Sequence, residues 1–278
     1  MIMASQTTYD IGANKIVAET VCMAILCPSL WYNISVVRGE EYMARLFITG
    51  DTHNDIDIRK LNTKHFPEQK DLTKDDVLLI AGDFGFPWCY PENKTDKYWL
   101  KWYESKPFTT LFIDGNHDNF PALDSYPEIE FHGAKCNAIR PHVLHVKRGE
   151  VLEINSHKIL CIGGAVSVDK YLRTPGESWW PEEVPPEAEW NKVFSALKQK
   201  KPDVIISHDC PAYVSRRMHG NTVMPSVVQS QLDRILNTIC ANNIPVSKWY
   251  FGHHHIDADI QIAGIQFHGL YQTINELR

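Results

Sequence analysis

The chain has 278 residues, is 44% hydrophobic and carries a formal net charge of −6, enough apolar material for a substantial core in one domain with or without an extension. A purely electrostatic nucleic-acid binder would carry a basic excess, so the charge argues against that class while leaving room for an enzyme whose metals face phosphates. The seven cysteines, at 22, 27, 89, 136, 161, 210 and 240, are odd in number and include no C-x-x-C pair; they exclude a disulfide framework and read as small core residues of a cytoplasmic protein.

Residues 20–37 (TVCMAILCPSLWYNISVV) carry no charge and are just long enough to raise the question of a membrane span. Pro28, Asn33 and the two cysteines dilute the run. Lys15 and Glu19 precede it in place of a basic n-region, and no small-residue cleavage site follows, so no membrane role is expected. Met43 opens MARLFITGD and runs straight into a first core strand. Gly39-Glu40-Glu41 is a tripeptide that purine-rich codons resembling a ribosome-binding site encode. The expectation is an extension over 1–42, outside the catalytic fold, and one domain over 43–278.

From Arg45 a rhythm begins. The runs 46–49, 77–81 and 111–114 are short and apolar, and they close on Gly-Asp, Gly-Asp and Gly-Asn-His-Asp. Such runs read as buried strands. KTDKYWLKWYESK, between the second and third, reads as a helix with Tyr98, Trp99, Trp102 and Tyr103 on one core-facing side. The alternation predicts an α/β fold with a largely parallel sheet. Runs 143–146, 151–154 and 158–162, split by Arg148-Gly149 and Asn155-Ser156, read as hairpins. A polar, Pro-rich segment (166–186) is followed by a helix, a strand at 204–206 and a longer helix. Ser226 and Gln229 stand at capping-box spacing for that longer helix, with Val228, Leu232, Ile235, Leu236 and Ile239 as its buried stripe. A strand at 248–251 leads into Gly-His-His-His, and hairpin-like sequence ends the chain.

Each of the apolar strands at 46–49, 77–81, 111–114, 204–206 and 248–251 is followed by potential metal ligands: Asp51 and His53, Asp83, Asn116 with His117, His208, and His253 with His255. Functional residues of open α/β sheets gather beyond the carboxyl ends of strands. Imidazoles, carboxylates and an amide oxygen suit Mn, Fe, Zn or Ni better than Ca or Mg alone. Because residues i and i+2 of an extended segment share a side, Asp51 and His53 are expected to face one ion together, and so are His253 and His255, with His254 turned away. The glycines at 50, 82, 115 and 252 are expected to allow tight turns with unusual dihedrals that let the backbone come close to the site. Histidines 65, 132, 142, 145, 157, 219, 254 and 268 read as packed or surface residues.

The ordered set D-x-H, G-D, G-N-H-D, H and G-H-x-H resembles the calcineurin-like metallophosphoesterase superfamily over roughly residues 45–256. The resemblance implies a four-layer α/β/β/α sandwich with two divalent metal ions at the strand C-terminal rim, Mn foremost and Fe, Zn or Ni as alternatives. It assigns one ion to Asp51, His53, Asp83 and His255, and the other to Asp83, Asn116, His208 and His253, with Asp83 bridging. His117 falls at the family's proton donor, and a metal-bridging hydroxide would attack a phosphomonoester or phosphodiester. Asp83 continues as FGFPW and not as the VDRG of the protein serine/threonine phosphatase branch, so the likeness is to the small bacterial and phage phosphoesterases. A metal-dependent nuclease is the alternative activity. A non-catalytic scaffold on the same fold would have lost ligands or the proton donor, and here the set is complete.

Segment 167–186 (SVDKYLRTPGESWWPEEVPP) is the candidate for substrate recognition. It carries Lys170, Arg173, Trp179 and Trp180; arginine forks onto phosphate, and tryptophan stacks on bases or sugars. The competing reading is a surface loop anchored by its aromatics. Arg216 and Arg217 read as a solvated basic pair. The expected partner is a phosphorylated small molecule or nucleotide, with nucleic acid less favoured.

Overall fold

The computed structural model describes residues 5–11, 14–20, 43–220 and 224–278. The chain divides into two units, Met1–Tyr42 and Met43–Arg278. In the first, β1 (Ser5–Ile11) and β2 (Asn14–Thr20) pair antiparallel, from Ser5 opposite Thr20 to Ile11 opposite Asn14. Beyond Thr20 the uncharged run 20–37 lies outside the described residues, as do Cys22, Cys27 and Gly39-Glu40-Glu41. No described helix is long and apolar enough to cross a membrane.

The second unit begins with β3 (Leu46–Thr49), β4 (Val77–Ile80), α1 (Lys94–Glu104), β5 (Thr109–Phe112), α2 (Phe120–Asp124), β6 (Glu128–Phe131), β7 (Ala134–Arg140) and β8 (Val143–Val146). It continues with β9 (Val151–Ile154), β10 (His157–Ile162), α3 (Glu187–Lys200), β11 (Val204–Ser207), α4 (Ala212–His219), α5 (Val227–Asn242), β12 (Lys248–Phe251), β13 (Ala258–Ile262), β14 (Ile265–Gly269) and β15 (Ile274–Leu277). These strands form a seven-stranded sheet in the order β15-β3-β4-β5-β8-β7-β6 and a six-stranded sheet in the order β13-β14-β12-β11-β10-β9. The centres are parallel: β3, β4, β5 and β8 in one sheet, and β10, β11, β12 and β14 in the other. Antiparallel strands flank both.

Alternation along the strands builds the layers. Leu46, Ile48, Val77, Leu79, Ile159, Cys161, Val204 and Ile206 share one core between the two sheets. Their neighbours Phe47, Leu78 and Ile80 turn outward to pack with Leu100 and Tyr103 of α1. Leu160, Ile162 and Ile205 turn the other way, to Trp190, Val193 and Leu197 of α3 and the stripe Val228, Leu232, Ile235, Leu236 and Ile239 of α5. The result is helix, sheet, sheet, helix, as the resemblance implied. The capping box of α5 is formed: Ser226 Oγ accepts from Gln229 N, and the Gln229 side chain returns to the Ser226 backbone.

Three expectations are corrected. Runs 143–146 and 151–154 are not a hairpin, because β8 and β9 lie in different sheets. The Arg148-Gly149 link is a crossover pinned from both sides: Arg148 Nε donates to Asp114 Oδ2 at 2.8 Å and its Nη1 to Glu189 at 2.8 Å, while Gly149 N donates to the Cys161 carbonyl. Tyr98 is 64% exposed, since the buried line of α1 runs through Asp96, Leu100 and Tyr103; Trp99 and Trp102 are partly buried at its edge. Cys240 is exposed on α5, whereas Cys136, Cys161 and Cys210 are buried.

The parallel centres align the strand ends. Thr49 pairs with Ile80 and Ile80 with Phe112, so the segments leaving β3, β4 and β5 start level; Ser207 and Phe251 do the same for β11 and β12. A protein beginning at Met43 is expected to fold cooperatively and keep the specific activity of the full chain. Circular dichroism and a phosphatase assay check this; insoluble or inactive protein, beside active full-length chain, would remove the division at Met43.

Candidate metal centre

Three of the five segments, those after β3, β4 and β12, leave their strands by left-handed turns and not by extended backbone. His53, Asp83, His253 and His255 have φ of 41°, 50°, 63° and 51°. Such conformations cost of order 1–3 kcal/mol each and persist where the surroundings impose them. Here the two buried carboxylates do so. His253 N donates to Asp51 Oδ1 and Oδ2 at 3.0 and 3.1 Å, and His117 N donates to Asp83 Oδ1 at 2.7 Å. Thr52 N and His53 N both donate to the Asp83 carbonyl, at 3.1 and 2.8 Å.

The i, i+2 expectation therefore fails at the GHHH motif. His255 Nε2 lies 3.0 Å from Asp51 Oδ2 and its ring lies 4.8 Å from that of His53, whereas the His253 ring sits 5.1 Å from that of His208. The glycine expectation is corrected for the dihedrals and holds for close approach. Of the glycines at 50, 82, 115 and 252, only Gly82 has positive φ. Gly115 and Gly252 matter for close approach: a Cβ on either would lie 2.1 Å from Oδ1 of Asp83 or Asp51, respectively.

The donors fall into overlapping groups: Asp51 with His53 and His255, His53 with Asp83 and His117, and Asp83 with His208 and His253. Asp83 joins them. Its Oδ2 lies 3.2 Å from His53 Nε2 and its Oδ1 3.3 Å from His208 Nε2. Asn116 Oδ1 lies 3.2 Å from His208 Nε2. Asp51 and Asp83 are 0% and 1% exposed, and among the described residues the ion pairs given for them are all with histidines.

Such carboxylates demand positive charge. Burial alone would lower the pKa of His53, yet the hydrogen bond and charge of Asp83 raise it to about 9. Burial is likewise outweighed at His208, which the charge and hydrogen bond of Asp83 raise to about 10. Asp83 in turn, despite burial, is held well below the usual carboxylate range by His208 and His53. Burial pushes His253 down to about 4, which keeps a neutral imidazole lone pair available. Protons on His53 and His208 thus occupy the electrostatic role of a cation, and the donor set fits borderline divalent ions.

A surrounding shell orients these donors. His53 Nδ1 donates to Asp57 Oδ2 at 2.8 Å, and Tyr271 donates its hydroxyl to Asp57 Oδ1 at 2.8 Å while stacking on His255. His208 Nδ1 donates to the Ala81 carbonyl at 2.8 Å, which directs Nε2 toward Asp83. Asn116 Nδ2 donates to Ser167 Oγ at 3.1 Å, and Ser167 Oγ donates to Glu183 Oε2 at 2.5 Å. Since the hydroxyl proton goes to Glu183, Ser167 accepts from the amide, and the Asn116 carbonyl oxygen must face His208. Lys60 Nζ supports the Asp51 turn, donating to the Asp51 carbonyl at 2.6 Å. Of these supporting groups only Asp57, at i+4 from His53, had a local spacing signal.

Segment 167–186 is brought to His117 through Arg173. Asp169 grips the guanidinium at 3.0 and 2.8 Å, and Arg173 Nη2 donates to His117 Nε2 at 2.6 Å. Burial, then the charges of Arg173 and His53 against that of Asp83, lowers the His117 pKa. Lys170 is exposed. Trp179 is half-buried, with its indole nitrogen buried. Trp180 is 6% exposed and meets Trp88 edge-on at 5.3 Å, so it anchors the segment and offers no open face for stacking. Arg216 lies over the Tyr213 ring at 5.8 Å and Arg217 is exposed.

Lariat debranching enzyme A of Xenopus laevis is 23% identical over 242 residues, covering 76% of this chain and 43% of that enzyme. The chain thus spans less than half the length of that relative. Among solved structures, a phosphopantetheinyl hydrolase of Mycobacterium tuberculosis is 14% identical with a TM-score of 0.39, covering 83% of this chain and 90% of that one. A provisionally assigned 5′-nucleotidase of Staphylococcus aureus is 13% identical with a TM-score of 0.47, covering 84% and 50%. The family described as calcineurin-like phosphoesterase matches residues 44–257, most of the sequence and all five donor-bearing segments, and the chain belongs to that family.

Proposed function

We propose that the chain is a metal-dependent phosphoesterase hydrolysing a phosphomonoester or phosphodiester of a small molecule or nucleotide. Asp51, His53, Asp83 and His255 would hold one divalent ion, and Asp83, Asn116, His208 and His253 the other, with Mn foremost. The carrying observation is Asp83, a buried carboxylate that turns one oxygen to His53 and the other to His208. When bound, two such ions acidify a water and bind the charge of the phosphate oxygens.

The chain's own residues complete the chemistry. His117 is the proton donor to the leaving oxygen, acting at Nε2. Before substrate arrives, Arg173 donates to that nitrogen and keeps it an acceptor. A phosphate offers the guanidinium a stronger, bidentate partner. Its transfer frees Nε2 to take a proton from solvent, which it then gives to the leaving oxygen, and places the Arg173 charge on the ester. Asp57 holds the His53 ring, and Ser167 with Glu183 holds the Asn116 amide. The free thiols of the five described cysteines support work in the cytoplasm. A second reading, hydrolysis of a nucleic-acid-derived diester, is favoured by the likeness to the debranching enzyme; the net charge of −6 weighs against tracking a duplex.

The test is a Mn²⁺-supplemented panel of p-nitrophenyl phosphate, bis-p-nitrophenyl phosphate, a cyclic nucleotide and single-stranded DNA. Absence of metal-dependent hydrolysis throughout, with metal bound, defeats the reading. Asp83→Ala is expected to lose metal and activity together; a full metal complement in the variant by elemental analysis would show that Asp83 does not bridge.

Ser167→Ala leaves the Asn116 amide free to rotate. It is expected to weaken metal affinity by roughly 10–100-fold, the usual effect of losing an outer-shell partner. Competition with a chelator measures this, and unchanged affinity would dismiss the Ser167 link.

His117→Ala should keep both metals and lose about 10²–10⁴-fold in rate. The loss should be far larger on an alkyl phosphate than on p-nitrophenyl phosphate, because p-nitrophenolate leaves without a proton and an alkoxide does not. Equal losses on the two substrates would instead make His117 an electrostatic holder of the phosphate.

A further inference from the structure

One or two positions beyond two of the proposed ligands, the same loops bring a second set of donors together. Asp209 and Cys210 follow His208, and His254 follows His253. Asp209 Oδ1 lies 3.0 Å from His254 Nε2, and Cys210 Sγ lies 3.2 Å from the same nitrogen. The three donor atoms all lie within 4.8 Å of one another. Asp209 and Cys210 are 1% and 0% exposed, and the His254 side chain 10%. His219, exposed at the end of α4, places its Nε2 3.0 Å from His254 Nδ1.

We propose that Asp209, Cys210 and His254 form a further cation site, distinct from the Asp83-centred pair, for a thiophilic divalent ion of the zinc type. Hydrogen bonding alone serves this trio poorly. His254 Nε2 has one position for a proton and faces two partners. If Nε2 carries the proton, it goes to the carboxylate and the sulfur, a weak acceptor, gains little from it; if Nε2 is bare, its lone pair faces that of Asp209 Oδ1 across 3.0 Å. Asp209 Oδ1 is already aimed by Cys210 N at 2.7 Å and Gln229 Nε2 at 3.2 Å, so its direction does not depend on the imidazole. A cation at the common point satisfies all three donors, with the Cys210 proton released to solvent.

Thiolate, imidazole and carboxylate are the zinc set. Bonds of about 2.3 Å to sulfur and about 2.0–2.1 Å to nitrogen or oxygen put tetrahedral ligands roughly 3.3–3.6 Å apart. The observed 3.0 and 3.2 Å need to open by only a few tenths of an ångström. His219 acts as the outer partner that orients His254. Three protein ligands leave a fourth position for water. The bound ion ties the loop after β11 to the loop after β12, the two loops that carry His208 and His253.

The site is independent of the phosphoesterase reading and has a signature of its own. Full-length protein stripped of metal is titrated with Co²⁺. A thiolate ligand gives an intense near-ultraviolet charge-transfer band, and the ligands proposed for the Asp83-centred pair include no cysteine. The expected result is such a band, saturating with one equivalent of Co²⁺ beyond those of the pair. Cys210→Ser should lose the band and that equivalent. His254→Gln, at a partly exposed position that spares the core should Cys210→Ser fail to fold, should lose or strongly weaken the band. Asp83→Ala should keep it. No band in the wild-type protein at saturating Co²⁺, or a band that survives either Cys210→Ser or His254→Gln unchanged, overturns the site.

Discussion

A carboxylate at position 83, buried to 1% exposure and given no Lys or Arg ion pair among the described residues, sets the terms for the rest of the rim. Withdrawing an ion from water costs several kcal/mol even after the protein relaxes, unless opposite charge and hydrogen bonds replace the lost hydration. Asp83 obtains them from three separate segments: the His53 ring, the His208 ring and the His117 amide. Its own carbonyl receives the amides of Thr52 and His53. Gly115 has no side chain because Oδ1 of Asp83 occupies the space a Cβ would need. The left-handed backbone at four donor-bearing positions follows from the same demand, since extended segments would carry these side chains past the carboxylates.

The sandwich makes that concentration of charge tolerable. Parallel strands buried on both faces end level with one another and deliver the segments from rigid elements. The protein core needs no distortion beyond the last residue of each strand. Asp114 shows how the fold treats a buried carboxylate with a purely structural task. Burial is opposed there by Arg148 and His145, which hold it at about 2, and the arginine fixes the crossover between the sheets. Asp83 and Asp51 have imidazoles where Asp114 has a guanidinium. Imidazoles can give up their protons to a metal, and a guanidinium cannot. That exchange of partner separates the carboxylates of the candidate metal centre from the structural one.

Legibility in the sequence followed the range of the interactions concerned. The central strands were readable because burial on both faces writes a continuous apolar run, and the α5 stripe because five residues at helical spacing face one core. The hairpin of β6 and β7 was not anticipated: β6, EIEF, sits at a sheet edge with most of its residues exposed. The β8–β9 crossover was misread because a Gly-bearing link between two apolar runs looks the same whether the strands pair or part. The metal-type donors were found by their place after strands, but their grouping was not readable from extended geometry, since their dihedrals are imposed by carboxylates far along the chain. His253 N answers to Asp51 across 202 positions, and Tyr271 reaches Asp57 across 214. Glu183 has no local signal at all, because its task is to receive the hydroxyl of a residue that orients a third.

The segment between Gly164 and α3 therefore has two tasks that the chain keeps apart. Its end posts, Ser167 and Glu183, are buried and bonded to each other, and through Ser167 they fix the amide of Asn116. Between the posts, Val168, Tyr171 and Leu172 are exposed while Arg173 reaches back to His117. Changes on the exposed stretch leave the Ser167–Glu183 clamp untouched, so its surface can vary while the Asn116 amide stays fixed. Arg173 is the exception. It belongs to the exposed stretch by position and to the candidate metal centre by contact, since its guanidinium reaches the His117 ring directly.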